Sequence, residues 1–293
     1  MGYLARILAD SVSPDGARLF TVEATFPRFI LAEVNTHRMI SKNTASSRAI
    51  PTKKRIEAIL ADPFIPDYWG KNERGMVATE EFDDELTRVD CKQAWLDAMY
   101  TCIAKAEYLD GMGLHKQLAN RLLEPFSWVT GIWSGTEWAN FFHLRCAKSA
   151  QPEFRRIAIM VKDLYYANTP VPIGYDDWHL PLVWPEDREA VRLLTMNGYE
   201  YRREEVLCKV SVGRCARVSY LTHDGRRDIE DDLELANRLS ASGHWSPFEH
   251  VAQPSLIEDF CGNFFGWTQY RKTFFSENRG TLANDPMEYE EAA

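Results

Sequence analysis

The 293-residue sequence lacks the patterns that mark several common classes of protein. Its six cysteines occur singly, with no Cys-x-x-Cys pair, which favours reduced thiols over disulfides or a zinc site. Its seven histidines include no His-Glu-x-x-His motif, so we expect no bound metal. No apolar run approaches the roughly 20 residues that span a bilayer, and no signal-peptide core follows the N-terminus. We therefore expect a cytoplasmic protein without a membrane span.

Basic residues are also in the minority, with 34 Lys and Arg against 43 Asp and Glu and a net charge of −9. Since binding to a nucleic-acid backbone needs a basic face, we expect no nucleic acid as a partner. Hydrophobic residues make up 45% of the chain and aromatic residues 12%, a composition typical of a globular protein. We treat residues 1–293 as a single domain.

One stretch contains no carboxylate at all. Residues 36–55 carry only neutral and basic side chains, and their first part, THRMISKNTASSR, spans Thr36 to Arg48. Arginine, hydroxyl and amide groups together are the donors that a phosphate-bearing small molecule requires. On composition alone, a solvated polar loop explains this basic loop equally well.

Hydrophobic periodicity predicts alternating strands and helices around this basic loop. We expect a strand over 19–26, a short helix from Pro27 to Val34, and an irregular excursion over 61–81. Further helices are predicted at 83–109, 114–123, 137–147, 151–167 and 228–240. Residues 126–135 read as an aromatic turn region, the prolines of 170–185 as a loop, 210–220 as a strand and Ser246–Pro247 as a turn.

A weak internal repeat is also present. The segment YRKTFFSEN, Tyr270 to Asn278, follows a predicted strand and an apolar helical stretch, as the basic loop does. Its Arg271, Ser276 and Asn278 have the spacing of Thr36, Ser41 and Asn43. This pattern indicates a partial duplication.

The basic loop resembles the signature of the flavin-dependent thymidylate synthases, Arg-His-Arg-x-x-Ser-x-Asn-Glu-x-Ser-x-Arg. The matching positions are His37, Arg38, Ser41, Asn43, Ser46 and Arg48. Other segments resemble the same family, namely GMGLHKQLANRLLEP (111–125), WANFFHLRCAKSAQPEFR (138–155), CARVSY (215–220) and GHWSPFEH (243–250). The last two usually precede the signature, so the chain looks permuted or partly duplicated, in units 19–55, 111–167 and 212–280.

The resemblance implies an α/β fold with a twisted, mainly antiparallel sheet flanked by helices. It also implies a homotetramer with active sites between subunits around FAD. The implied reaction methylates dUMP, a pyrimidine deoxynucleotide monophosphate, at C5, with methylene-tetrahydrofolate as the folate co-substrate and NADPH as reductant.

Residue roles follow from the same resemblance. Ser46 and Arg48 match nucleotide-phosphate ligands, Arg145 matches a catalytic arginine that contacts the pyrimidine, and His244 matches a catalytic histidine beside the flavin. Positions that match flavin contacts are His37, Arg38, Asn43, Asn140, Ser219, Ser246 and Glu249. From residue chemistry alone, Arg145 also suits a structural ion pair, and His244 and His250 suit caps of helices or turns.

Four positions depart from the family pattern. Thr36 and Thr44 replace an Arg and a Glu, Glu33 replaces a nucleotide-binding Gln, and Asn120 replaces a phosphate-binding Arg. Neighbouring Arg121 is a candidate substitute for the last, and Arg271 for the charge missing at Thr36, which would make it a cofactor ligand. These departures leave two alternatives open. One is a related flavin and folate enzyme that adds a methyl or hydroxymethyl group to dCMP or UMP, and the other is a non-catalytic nucleotide-binding paralogue.

Overall fold

A computed structural model describes residues 2–196, 202–218, 228–275 and 277. Its main sheet has five strands in the order β3-β4-β2-β1-β5, antiparallel except for the β1–β5 pair. These strands are β1 (Leu4–Val12), β2 (Arg18–Pro27), β3 (Ser41–Thr44), β4 (Trp128–Gly135) and β5 (Val171–Pro172). Two small antiparallel sheets pair β6 (Ala252–Pro254) with β9 (Trp267–Gln269) and β7 (Phe260–Cys261) with β8 (Phe264–Phe265).

Helices cover the sheet and extend from it. They are α1 (Leu31–Asn35), α2 (Thr52–Ala61), α3 (Glu85–Gly111), α4 (Lys116–Ala119), α5 (Ala139–Arg145), α6 (Pro152–Ala167), α7 (Pro185–Met196), α8 (Arg203–Val218) and α9 (Ile229–Ala241). Short 3-10 helices span Arg28–Ile30, Asn120–Phe126, Ser246–Glu249 and Tyr270–Thr273.

Strand β2 is buried on both faces, which makes the fold three layers deep. On one face Phe20, Val22 and Phe26 pack with α5 and α6. On the other face the neighbouring β4 residue Ile132 packs against Val218 of α8. Because side chains alternate along a strand, one central strand serves both cores. The predicted α/β fold with a mainly antiparallel sheet is confirmed.

A further core joins α2, α3 and the 3-10 helix Asn120–Phe126, through residues such as Ile56, Met99 and Leu123. This core holds α2 beside the end of β4. At 27 residues α3 is long, but in the described part of the chain no helix is both long and apolar enough to cross a membrane.

Several predicted elements are present. The strand over 19–26 is β2, and the helices over 83–109, 137–147, 151–167 and 228–240 are α3, α5, α6 and α9. Residues 62–84 are irregular, apart from an isolated bridge between Gly70 and Glu81. These segments carried clear periodicity, capping residues or breakers.

The prediction of a turn region over 126–135 is wrong, because Trp128–Gly135 forms β4 in the interior of the main sheet. Its glycines suggest turns, yet Gly131 serves a close approach between strands. A Cβ at Gly131 would lie 2.7 Å from Cγ2 of Thr44 on β3, closer than real Cβ contacts allow.

The predicted strand over 210–220 is also wrong, since its described residues belong to helix α8. From Val206 to Ala216 this helix is buried all round, so its apolar run lacks the 3.6-residue period that would separate it from a buried strand. At Gly213 a Cβ would lie 2.5 Å from the carbonyl oxygen of Asp232, which shows how closely α9 approaches.

Other expectations hold only in part. The helix over 114–123 is one turn of α4 followed by a 3-10 helix, and α7 follows the proline-rich loop where no helix was predicted. The strand β9 leads directly into Tyr270–Thr273, preceded by the short strands β7 and β8 and not by an apolar helix. The structural layout of the basic loop is therefore not repeated there. Ser276 and Asn278 lie outside the described residues.

Candidate functional site

The basic loop is built into the main sheet. It leaves α1 at Thr36, forms the edge strand β3, and ends at Pro51, where α2 begins. In β3, Ser41 lies opposite Ser134 and Thr44 opposite Gly131. The sheet therefore fixes the middle of the loop.

Two side chains hold the C-terminal half of the loop by its carbonyl groups. Arg28 Nη1 donates to the carbonyl oxygen of Ala45 at 2.9 Å. Asn120 Nδ2 donates to the carbonyl oxygens of Ser47 at 2.7 Å and Ile50 at 2.9 Å. The side chain of Asn120 is fully buried, so it anchors the loop and does not replace a phosphate-binding arginine. A buried amide can satisfy two carbonyl groups at once, which an arginine would do only at the cost of burying its charge.

Arg121 points elsewhere. Its guanidinium is 53% exposed and pairs with Glu124 at 2.9 Å, and Glu124 also accepts from Arg28 at 3.0 Å. The two nearby arginines thus share one carboxylate. In this arrangement Arg121 stays at the surface, beside the loop.

Arg145 is the residue that reaches the start of the loop. From the last turn of α5, its Nε donates to Nε2 of His37 at 2.7 Å, and its Nη2 donates to Oγ1 of Thr36 at 3.3 Å. The guanidinium also lies 4.6 Å from the ring centre of Phe154. In the described part of the chain these partners are all uncharged, and Arg145 forms no ion pair with a carboxylate.

The imidazole of His37 is neutral at physiological pH. Burial, followed by the charges of Arg145 and Lys42, lowers the pKa of His37 to about 4. Because Nε2 accepts from Arg145, the ring proton is assigned to Nδ1. The ring packs edge-on against Phe141 at 5.0 Å, which holds the imidazole in place as the acceptor for Arg145.

Lys42 adds a second cation behind the loop. Its Nζ donates to the carbonyl oxygens of Ile40, at 2.7 Å, and of His37. Burial lowers the pKa of Lys42 to about 8, although Glu249 acts in the opposite direction. The lysine therefore remains mostly charged at neutral pH, with its ammonium group turned toward the backbone.

The segments CARVSY and GHWSPFEH lie against the loop despite following it in the chain. Asn43 Nδ2 donates to the carbonyl oxygen of Cys215 at 2.8 Å, and Ser246 Oγ donates to the carbonyl oxygen of Lys42 at 3.2 Å. Their order in the sequence is thus no obstacle to meeting at one site. Of CARVSY, Ser219 lies outside the described residues.

A buried chain of hydrogen bonds joins the last segment to the main sheet. His179 forms hydrogen bonds of 2.8 Å with Ser11 Oγ through Nδ1 and with Thr21 Oγ1 through Nε2. Ser134 Oγ then forms hydrogen bonds with Thr21 Oγ1 at 2.7 Å and with His250 Nδ1 at 2.8 Å. Burial lowers the pKa of both His179 and His250 to about 3, so both are neutral. We interpret this chain as the structural link that positions the GHWSPFEH segment.

Other candidate residues are more dispersed. Arg271 binds Glu249 and, at 2.7 Å, Glu277, so the structure does not bring it to Thr36, where Arg145 is found instead. His244 is exposed at the end of α9 and shares a hydrogen bond of 2.9 Å with Ser242. Asn140 is exposed on the first turn of α5.

The nucleotide-binding candidates lie on α1 and on the second half of the loop. Arg48 is exposed, and its backbone N–H donates to Ser46 Oγ at 3.3 Å. Glu33, on α1, has one carboxylate oxygen, Oε2, that is buried without a hydrogen-bond partner among the described residues. A buried acceptor without a partner is suited to a ligand that offers a hydrogen-bond donor.

Sequence reasoning missed two residues that support the loop. Asn263 and Gln269 bond each other at 2.8 Å and both reach Ser41, at 3.0 Å and 3.3 Å. Neither residue belongs to a motif, so no sequence signal indicated them. Lys42 could have been recognised as part of the basic stretch, although its burial could not.

The chain was also compared with known protein families and structures. A family model described as "Thymidylate synthase complementing protein" matches residues 13–171, more than half of the chain. Among solved structures, the chain is similar to the crystal structure of a UMP/dUMP methylase PolB from Streptomyces cacaoi bound with 5-Br UMP. That similarity has 14% identity and a TM-score of 0.45, over 57% of this chain and 89% of the other. A search of curated proteins gave no match. The family match includes the whole basic loop and Arg145, and it ends before CARVSY and GHWSPFEH.

Proposed function

Since the chain belongs to the thymidylate synthase complementing protein family, we propose that it is an FAD-dependent thymidylate synthase. In this proposal it methylates dUMP at C5, with methylene-tetrahydrofolate as one-carbon donor and NADPH as reductant. The family membership confirms the resemblance first noted in the basic loop. The reaction itself is a proposal that depends on the arrangement of the site residues.

The observation that carries the proposal is the environment of Arg145. Its guanidinium lies against His37, Thr36 and Phe154, and in the described residues none of its partners is anionic. A partly buried guanidinium without a carboxylate is available to an incoming carbonyl oxygen or phosphate. Neutral His37 keeps it oriented, since the imidazole accepts from Nε and Thr36 accepts from Nη2, which leaves Nη1 to face a ligand.

Glu33 complements this donor. Its buried Oε2 has no hydrogen-bond partner among the residues that the structure describes, and Glu33 lies one turn before Thr36, so the two residues share a face of α1. Uracil presents an N–H between two carbonyl groups, which suits a carboxylate acceptor flanked by a guanidinium donor. We infer that Arg145 and Glu33 bind the base, and that Ser46 and Arg48 bind the phosphate.

The residues present fit a flavin dinucleotide. Arg38 is exposed and suits the pyrophosphate, while His37 is neutral and half-buried beside Phe141, as suits a ring system. In this proposal FAD is held by the flavin-matching residues, which are His37, Arg38, Asn43, Asn140, Ser219, Ser246, Glu249 and Arg271, with His244 beside it. Bound there, FAD would supply the reducing equivalents that turn the transferred carbon into a methyl group. The protein's part is to orient the base through Arg145.

Several of these residues lie far apart in one chain, which favours completion of the site by other subunits. Arg271 is occupied by two carboxylates, and Asn140 and His244 are exposed on different helices. A homotetramer with active sites between subunits would bring copies of these residues together. The folate and NADPH would then enter where the subunits meet.

One observation favours a second candidate substrate. The carboxylate of Glu33 can accept from the exocyclic amino group of cytosine as readily as from the N–H of uracil, and the family residue at this position is a glutamine. A related flavin and folate enzyme acting on dCMP or UMP, with a methyl or hydroxymethyl product, is therefore the alternative.

An anaerobic assay separates these possibilities. The purified protein would be incubated with NADPH, methylene-tetrahydrofolate and dUMP, dCMP or UMP in turn, with flavin absorbance followed and products identified by mass. We expect a yellow protein and a methyl gain on dUMP. A product from dCMP or UMP alone would establish the second candidate, and a colourless protein without any product would refute both.

A further inference from the structure

A cavity of about 610 Å³ lies between α2 and the start of β4, and the C-terminal part of the basic loop forms part of its wall. Its wall includes Ile50, Lys54, Arg55, Ala58, Asp62 and Trp128. None of the candidate nucleotide or flavin residues belongs to this wall. The volume is within the range of roughly 300–1,000 Å³ that small-molecule sites occupy.

The notable polar group of this cavity is Arg55. Its side chain is only 5% exposed, and Nε has no hydrogen-bond partner among the described residues. Burial, followed by the charge of Arg28, lowers the pKa of Arg55 to about 10, which still leaves the guanidinium charged at neutral pH. An unpaired buried charge is costly, and natural proteins keep one where a ligand supplies the counter-charge.

Among the described residues Arg55 has no direct ion-pair partner, although the charge of Glu124 acts on it at longer range and raises its pKa. Glu124 is bound by Arg28 at 3.0 Å and by Arg121 at 2.9 Å. Asp62, the acidic residue of the wall, accepts from the backbone N–H of Gly2 at 2.8 Å. Arg55 therefore lines the cavity as a cation that has no ion-pair partner in the described part of the chain.

The rest of the wall is mainly apolar and includes one large aromatic ring. Trp128 is held by a hydrogen bond of 3.1 Å from Nε1 to the carbonyl oxygen of Asp62, and by an edge-on contact with Tyr3 at 5.0 Å. Ile50, Pro51 and Ile59 complete an apolar lining. A rigid indole beside aliphatic residues is suited to a flat aromatic body.

We propose that this cavity is a second ligand site, which binds an aromatic carboxylate whose anionic group pairs with Arg55 while its ring packs on Trp128. A monoanion suits a single buried guanidinium, because the hydroxyl groups of Ser127 and Thr130 in the same wall already bond Leu123 and Thr25. The site does not depend on the reaction proposed for the basic loop, since it shares no candidate residue with it.

Isothermal titration of the full-length protein tests this assignment with 4-iodobenzoate, and with 4-iodobenzyl alcohol as its neutral analogue. The wild-type protein should bind the carboxylate about tenfold more tightly than the alcohol, which corresponds to one charge-assisted hydrogen-bonded pair. Arg55→Gln should abolish that difference. Lys54→Gln is the matched control, because Lys54 lines the same wall with an exposed side chain, and it should keep the difference.

A second variant separates loss of the site from loss of the fold. Ala58→Phe adds a large side chain at an exposed position of the cavity wall and leaves Arg55 in place, so it should weaken binding of both probes while the melting temperature stays near that of the wild type. In crystals soaked with 4-iodobenzoate, the anomalous signal of iodine should lie beside Trp128. Equal affinity of the wild type and Arg55→Gln for the carboxylate, wild-type binding by Ala58→Phe, or no binding up to the solubility limit would each overturn the proposal.

Discussion

Acidification should weaken the fold through two buried histidines, His179 and His250. Burial lowers the pKa of each to about 3, whereas an exposed histidine titrates near 6.5. Between these values the unfolded chain binds a proton at each histidine and the folded chain does not. The free energy of unfolding therefore falls as the pH falls below about 6.5. Above that pH the neutral histidines make their full contribution to stability.

The size of the effect follows from the two pKa values. Since one pKa unit corresponds to about 1.36 kcal/mol, each histidine removes about 2 kcal/mol of stability between pH 7 and pH 5. The pair removes about 4 kcal/mol, a large share of the roughly 5–15 kcal/mol that stabilises a typical domain. Because His250 joins the GHWSPFEH segment to Ser134 of the main sheet, this segment should detach first.

Guanidinium unfolding at pH 7, 6 and 5, followed by tryptophan fluorescence, measures the effect. Between pH 7 and 5, the free energy of unfolding of His250→Asn should decrease by about half as much as that of the wild type. His143→Asn, at an exposed position on α5, should show the same decrease as the wild type. In the wild type, NMR should show no titration of the His179 and His250 rings over this interval. Titration of both rings near pH 6.5, or an unchanged pH dependence in His250→Asn, would refute the reasoning.

Three further predictions concern the basic loop. Asn120→Leu should lower the free energy of unfolding by about 2–5 kcal/mol in a denaturation assay, because two buried carbonyl groups lose their donor. The control Gln117→Leu, on the exposed side of α4, should change that free energy little. Arg145→Lys should weaken dUMP binding about tenfold in isothermal titration and leave the melting temperature unchanged. An equal loss of dUMP affinity in Arg155→Lys, at a position that does not touch the loop, would contradict this role. The affinity for dUMP should fall as the pH rises through 8, where Lys42 loses its charge, and a fall of the same size in Lys42→Gln would show that another group is responsible.

Part of the candidate site was visible in the sequence, because its residues are adjacent there. The carboxylate-free stretch, its donors and its resemblance to a family signature all lie within Thr36–Arg48. The strand and helix around it, β2 and α1, follow from period-two and helical spacing. Local patterns of this kind survive folding, since they express which face of an element is buried.

The role of Asn120 shows where local patterns fail. By alignment with a motif it replaces an arginine, and by sequence it is an ordinary polar residue. Only its burial and its two carbonyl partners, 73 and 70 residues away, reveal it as the anchor of the loop. Helix α8 was misread because its complete burial removes the period that distinguishes a helix from a strand, and β4 because its glycines suggest turns.

The sequence by itself determined the fold class, the family and the chemistry of the basic loop, because these depend on composition, periodicity and contiguous motifs. Tertiary structure alone decided which groups meet: Arg145 with His37, the GHWSPFEH segment with β3, and Arg55 with an apolar cavity. Such meetings depend on long-range packing, in which residues far apart in the chain are brought together by the burial of apolar surface. Burial also shifts the pKa values, since those of His37 and Arg55 are lowered only in the folded protein.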